Sequence, residues 1–155
     1  MAGVNEGTTN IPSDAQGRHY AGRYREYDGY HYAPRAMGPV TILASAARTT
    51  SPTIPKRDNF EMSGVVIVVS STSITSTPSV TVTILLYDPV STATLSLLAS
   101  AAITSVATTT LTIFPGATAS ANVAANAHLP PVWYLTSVHG DADSITYSIT
   151  AHLLL

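Results

Sequence analysis

Apolar and polar residues alternate with a period of two along much of the chain after residue 62. One such run covers residues 80–87 and another covers residues 145–154, and in both Thr or Ser separates Val, Ile or Leu. Because successive side chains of a strand point to opposite faces, each run predicts a strand with one apolar and one hydroxyl-bearing face. The run 64–69 is apolar on both faces and predicts a central strand.

Turn-forming residues separate these runs, among them Asp88-Pro89, Pro115-Gly116 and Gly140-Asp141. Strands at this spacing, with no helical period between them, predict an all-β, antiparallel sandwich of the jelly-roll or immunoglobulin-like type. The Ala-rich residues 97–103 and residues 120–127 allow a helical turn as the alternative. Strands are predicted near residues 40–47, 64–74, 79–87, 94–99, 106–114, 132–139 and 144–154.

Charge divides the chain into two parts. All seven Lys and Arg lie between Arg18 and Arg57, whereas residues 62–155 carry only Asp88, Asp141 and Asp143. We therefore expect an extended N-terminal arm, residues 1–61, with a possible first strand near 40–47, and a β-sandwich body, residues 62–155. A soluble domain is usually about a quarter charged, so this body lacks the common protection against self-association. Its composition predicts a surface that other subunits cover, or one that the hydroxyl groups of Ser and Thr keep hydrated.

The arm contains a segment, residues 18–35, that is rich in Tyr and Arg. These two residue types are enriched at the energetic centres of protein interfaces, so we expect the segment to bind a neighbouring subunit. The alternative is that its Tyr side chains pack on the chain's own body. Nucleic-acid binding is disfavoured, because Glu26 and Asp28 interrupt the segment and the net charge is −2. The expected contact residues are Arg18, Tyr20, Arg23, Tyr24, Arg25, Tyr27, Tyr30, Tyr32 and Arg35.

Four stretches carry a resemblance to a known family. They read LLASAAIT at 97–104, IFPG at 113–116, LPPVW at 129–133 and HGDADSITYS at 139–148. Together they resemble a family of small β-sandwich proteins encoded in the structural gene clusters of tailed phages, over roughly residues 80–155. Members usually carry Arg in the strand after the Trp, where this chain has Leu135 and Ser137. A charged contact by that strand is therefore not carried over.

The resemblance implies a virion protein that decorates or cements the capsid and stabilises the head by bridging neighbouring capsid subunits. It implies no catalytic residues. The expected partners are the major capsid protein and further copies of the chain, as a homotrimer, since capsid surfaces offer three-fold positions. The expected location is the capsid surface, after assembly in the host cytoplasm. The alternatives are a tail or baseplate subunit and a receptor- or glycan-binding module.

Residues 139–143 form the only cluster of potential metal ligands, with His139, Asp141 and Asp143. Calcium usually takes six or more oxygen ligands, and no Glu follows at EF-hand spacing. We therefore expect no metal, and Asp side chains that cap backbone N–H groups of a hairpin. Ser137, His139 and Asp141 are the residue types of a hydrolase triad, but the G-x-S-x-G mark of the nucleophile is absent.

No dinucleotide or phosphate-binding motif occurs, and the chain has no Cys. The sequence therefore predicts a protein that is not an enzyme and takes no cofactor. It shows no signal peptide and no apolar run of membrane-spanning length, so we expect no contact with a membrane. Trp133 after Pro130-Pro131 is expected to be a core anchor, with a sugar-binding face as the alternative.

Overall fold

Residues 38–155, the part of the chain that the computed structural model describes, fold into two β-sheets without any helix. The first sheet has the strand order β1-β9-β3-β6-β7 and the second has the order β2-β8-β4-β5. None of the described residues forms a helix that could cross a membrane. The strands are β1 Val40–Arg48, β2 Arg57–Asp58, β3 Gly64–Ile74, β4 Val80–Tyr87, β5 Thr94–Ala99, β6 Thr108–Ile113, β7 Ala124–Ala125, β8 Val132–His139 and β9 Ile145–Leu154.

Strand pairing identifies the sandwich as a jelly roll. β1 pairs with β9, β2 with β8, β3 with β6 and β4 with β5, all antiparallel, so the chain forms nested pairs around the β4–β5 turn. These nested pairs form one long antiparallel ribbon. The ribbon rolls up into two sheets, in which β9 also pairs with β3 and β8 also pairs with β4. An immunoglobulin-like sandwich would place its first two strands in one sheet. Here β1 and β2 lie in different sheets, as in the double-sheet jelly roll.

The alternation along each strand determines which side chains fill the space between the sheets. On β9 the side chains of Ile145, Tyr147, Ile149 and Ala151 are buried, whereas the Thr and Ser between them are half-buried. β3, β4 and β8 repeat this pattern over most of their length. Full burial of one Val, Leu or Ile side chain contributes about 1.5–3 kcal/mol. A single core therefore holds the two sheets together.

Three loops meet at one end of the sandwich, which we call the β8–β9 end. The N–H of His139 donates to Ser51 Oγ at 3.0 Å, and the N–H of Gly140 donates to the Ser79 carbonyl at 2.8 Å. Because these bonds join the loops after β1 and β3 to the last residue of β8 and to the residue that follows it, they fix the polar side chains at this end relative to one another.

The turns follow the chemistry of their residues. Asp88 accepts hydrogen bonds from the N–H groups of Val90 and Ser91 and from the Ser91 hydroxyl, and these bonds lower the pKa of its carboxyl. Gly116 has a φ of 84°, a left-handed conformation that Gly adopts readily. Gly64, at the start of β3, has no room for a Cβ, which would collide with the Ile113 carbonyl oxygen and the Phe114 ring.

All seven predicted strands are present, and the all-β sandwich is confirmed. The sandwich also takes in residues 40–61, which precede the charge break. The helical turns considered for residues 97–103 and 120–127 are wrong. Residues 100–103 instead continue along β4, with a bridge between Ile103 and Val80, and residues 120–127 form a turn followed by the two-residue β7. β2 and β7 were missed, because two residues show no alternation.

Candidate functional site

A buried polar cluster joins the two sheets at the β8–β9 end. Tyr147 projects from β9 into the core, and its hydroxyl lies 2.7 Å from Ser137 Oγ on β8 and 3.2 Å from His139 Nε2. Tyr147 and Ser137 are at most 1% exposed. Both Tyr147 and Ser137 occupy inward positions of their strands, so the alternation that builds the core also brings these polar groups together. Buried hydroxyl groups need such partners, since each unmade hydrogen bond costs stability.

Arg48, the last residue of β1, covers this cluster. Its guanidinium carbon lies 4.8 Å from the centre of the Tyr147 ring, and Nη1 donates to the Tyr147 carbonyl at 2.7 Å. Nη2 and Nη1 also donate to the carbonyls of Ala44 and Ala46. The β1–β9 register shifts between Leu43 and Ala46, and such irregularities leave backbone groups without ladder partners. The planar fork of Arg supplies the missing donors and holds β1 on β9.

The electrostatics keep the cluster uncharged near neutral pH. Burial raises the pKa of the Tyr147 hydroxyl, although the hydrogen bond to Ser137 and the Arg48 charge act in the opposite direction. Burial lowers the pKa of His139, with a further lowering by Arg48 and an opposing effect of the Asp141 carboxylate. A neutral His139 and a neutral Tyr147 can share one hydrogen bond without a buried charge.

Ser137, His139 and Asp141 do not form the arrangement of a hydrolase triad. His139 Nε2 faces the Tyr147 hydroxyl, and the Ser137 hydroxyl, 1% exposed, is itself bonded to Tyr147. A nucleophile must be able to meet its substrate. In this conformation Ser137 therefore holds the two sheets together and is closed to a substrate.

The two Asp of the β8–β9 loop cap backbone groups, as their turn chemistry predicts. Asp141 Oδ1 accepts the Asp143 N–H at 3.0 Å, and Asp143 Oδ2 accepts the Thr77 N–H at 3.1 Å. Asp143 thus joins the β8–β9 loop to the β3–β4 loop. Within residues 38–155, no three His, Asp or Glu side chains come together in a way that could hold a metal ion.

Replacing Asp143 with alanine should lower the free energy of unfolding by about 0.5–2 kcal/mol, because the Thr77 N–H loses its cap. Asp143→Asn keeps an acceptor oxygen and should cost clearly less. Thermal melts of the three proteins, each with and without EDTA, measure both effects. If chelation lowers the melting temperature of the unmodified protein but not that of Asp143→Ala, the loop binds a metal ion and the capping interpretation is wrong.

Stability should fall as the pH is lowered past the ordinary His value, because of His139. Well above its ordinary pKa of 6.5, His139 is neutral in both states; as the pH falls through that value, the unfolded chain takes up a proton that the folded chain resists. The free energy of unfolding should therefore decrease between about pH 7.5 and about pH 5.5. In urea unfolding, the decrease in the free energy of unfolding over this pH range should be smaller for His139→Gln than for the unmodified protein. Equal decreases in the two proteins would contradict this role of His139.

Trp133 is a core anchor, as expected, with 1% of its surface exposed. Its ring therefore offers no face to a sugar. Its indole Nε1 is buried and has no hydrogen-bond partner among the described residues, which is a cost to stability that its large apolar contact area offsets.

The predicted contact residues of the arm lie outside the described residues. All nine, from Arg18 to Arg35, precede residue 38. The prediction that they bind a neighbouring subunit therefore stays a prediction.

Seven of the nine described strands present a surface without acidic side chains, Lys or Arg. β3 to β9 contain no Lys, Arg, Asp or Glu. The outward side chains of β3, β6 and β9 form continuous rows across the first sheet, such as Thr110-Val68-Thr150 and Thr112-Val66-His152. Such a face presents hydroxyl and methyl groups and no fixed charge, so a partner that covers it leaves no buried ion behind.

Sequence reasoning missed Tyr147 and Arg48. An inward-facing Tyr in a predicted strand is itself a signal, because its hydroxyl needs a partner when the ring is buried. Ser137, inward on the adjacent predicted strand, was the available partner. Arg48 had no comparable signal, since the irregular β1–β9 register that it repairs cannot be recognised from alternation.

Comparison of the chain with protein-family models, with curated proteins and with solved structures gave no match. The resemblance to tailed-phage structural proteins therefore remains a prediction from four short stretches of sequence.

Proposed function

We propose that this protein is a structural subunit of a larger assembly, and specifically a decoration or cement protein of a tailed-phage capsid. In this proposal the jelly-roll sandwich lies on the capsid surface as a homotrimer. The N-terminal Tyr/Arg segment extends to a neighbouring capsid subunit, and the protein stabilises the head by bridging the two. It acts by binding and not by catalysis.

The observation that supports this proposal most is the absence of charge from strands β3 to β9. Free domains of this size normally carry mixed charges that keep them apart from one another. A sandwich whose strand faces present Thr, Ser and Val buries them against a partner at low desolvation cost, since no ion has to leave water. Interfaces are likewise depleted of charged residues at their centres.

The jelly-roll topology agrees with this proposal by analogy. Double-sheet jelly rolls recur in viral capsid proteins and in lectin domains. A fold by itself does not define a function. The agreement therefore supports the proposal only as an analogy, beside the absence of charge from the strands. The burial of Trp133 removes the residue on which a lectin-like interpretation rested.

The Tyr/Arg segment supplies attachment in the proposal. An oligomer that carries several such segments binds with high avidity, because each further contact becomes effectively intramolecular after the first. Modest contacts at single sites are then sufficient for stable attachment to a particle.

Deleting residues 1–35 should leave the sandwich folded and weaken attachment to the particle. Within residues 38–155 every strand lies at or beyond Val40, so the deletion leaves all of these strands intact. It removes five Tyr and four Arg, and loss of two anchors worth about 2 kcal/mol each would lower the affinity about a thousandfold per site. Melting temperature and co-sedimentation with empty capsids measure the two properties.

A full-length variant with the five Tyr of residues 18–35 changed to Ser serves as the matched control, because it keeps the chain length and the four Arg. It should bind more weakly than the unmodified chain and melt at the same temperature. Should the truncated chain bind capsids as well as the full chain, the Tyr/Arg segment does not attach the protein to the particle. A large fall in melting temperature with unchanged binding would show that the segment packs on its own body.

A further inference from the structure

Among the described residues, no strand covers the whole length of one edge of β6. On one side β6 pairs with β3 along all six residues, from Thr108 to Ile113. On the other side β7 pairs only with Thr112 and Ile113. Thr112 N–H donates to the Val123 carbonyl on that side. Because backbone groups of an antiparallel strand point alternately to its two sides, the N–H and C=O groups of Thr108 and Thr110 point the same way, with no ladder partner among residues 38–155.

This open edge faces a groove of about 540 Å³. Its walls are residues 101–103, which follow β5, and residues 121–123, which precede β7. The lining consists of Ala, Thr, Ile, Val and Asn and contains no charged side chain. Most of the wall residues are exposed, and Val123 is 48% exposed. The groove is therefore open to solvent, uncharged and walled mainly by small side chains.

We propose that this groove is a binding site for an extended, uncharged peptide segment of a partner protein, which pairs with β6 as an additional strand. Such a segment would form up to four backbone hydrogen bonds with Thr108 and Thr110, because an exposed sheet edge offers unpaired N–H and C=O groups to an added strand. Ala101 and Ala102 leave room for the small or β-branched side chains of the segment.

The neutral lining selects the chemistry of the partner. A Lys, Arg, Asp or Glu side chain placed against this lining would lose hydration without gaining an opposite charge. Backbone bonding supplies affinity in this mode of recognition, and the walls supply selectivity. The groove uses none of the residues of the Tyr/Arg segment, so the attachment proposed above does not depend on it.

Hydrogen exchange of the full-length protein tests this inference. The probes are a capped six-residue peptide of alternating Thr and Val, and a control peptide of the same length in which Lys and Glu replace the Thr. At about 90% occupancy by the neutral peptide, the amides of Thr108 and Thr110 should exchange about tenfold more slowly, since only the unoccupied fraction exchanges. The amides of Thr109 and Leu111, which face β3, should not change.

Two variants make the result specific. Ala102→Trp fills the groove without altering β6 and should abolish the protection, whereas Ala142→Trp, exposed in the β8–β9 loop and outside the groove lining, should retain it. Equal protection by the charged peptide, or none by either peptide, would overturn the inference. Protection that increases with protein concentration in the absence of peptide would overturn it too, because the occupant is then a second copy. Capsid co-sedimentation by the same protein remains an independent result in each case.

Discussion

Replacing Trp133 with alanine should lower the free energy of unfolding by about 3–5 kcal/mol, the range for removal of a large buried aromatic side chain. Trp133 is the largest fully buried side chain of the sandwich, and it projects from β8 into the core between the two sheets. Its loss leaves a cavity that the rigid strand ladders on both sides of β8 can only partly close. Denaturant unfolding at equilibrium gives the size of the effect.

Two matched substitutions identify the cause as lost packing. Trp133→Phe retains most of the apolar volume and removes an indole Nε1 that has no partner among the described residues, so it should cost much less than alanine. Tyr134→Ala, at the next position and on the outward face of β8, should have a small effect, because Tyr134 is only half-buried. If Tyr134→Ala is as destabilising as Trp133→Ala, the assignment of the two faces of β8 is wrong.

Replacing Tyr147 with phenylalanine should cost about 1–3 kcal/mol, although it removes a single oxygen atom, because a buried polar group is left without its partner. Ser137 Oγ loses its bond to the Tyr147 hydroxyl, and His139 Nε2 loses its own. The ring remains in place, so the change measures the hydrogen bonds between the sheets and not the core packing.

A double-mutant cycle with Ser137→Ala separates the two contributions. The double variant Tyr147→Phe/Ser137→Ala removes both hydroxyl groups, so it should be less destabilised than the sum of the single variants. Tyr134→Phe is the control for loss of a Tyr hydroxyl on the outward face and should have a small effect. Strict additivity in the cycle would show that Ser137 and Tyr147 are not coupled.

The fold was largely predictable because alternation survives over long strands. The runs at 80–87 and 145–154 correspond to β4 and β9 almost residue for residue. Sequence patterns could not choose between a jelly roll and an immunoglobulin-like sandwich. That choice depends on β9 lying between β1 and β3, a contact between residues far apart in the chain, which local periodicity does not encode.

The polar cluster and the open β6 edge were harder to predict for related reasons. Tyr147 and Ser137 are each visible as inward polar residues, but their contact needs the pairing of two sheets. The groove beside β6 exists because β7 pairs with only two β6 residues before the turn at 120–123. An Ala-rich sequence with no alternation gave no indication of that arrangement. The Asp caps were predictable because their chemistry is local to the turn.

The functional proposal rests on how charge is distributed and not on a catalytic constellation. Charged side chains concentrate before residue 62, while the sandwich strands after it present neutral faces. This division fits a molecule in which the N-terminal part supplies specific anchors and the sandwich supplies a broad surface that other subunits cover.

The most direct test offers the purified full-length protein separately to empty capsids and to isolated tails of the tailed phage in which the proposal places it. After sedimentation, the protein content of each pellet is measured as a function of added protein. The account predicts saturable binding to capsids, at a fixed number of copies per capsid, and none to tails. Saturable binding to tails alone would move the protein to the tail, and protein that stays in the supernatant with both particles would contradict the proposed function.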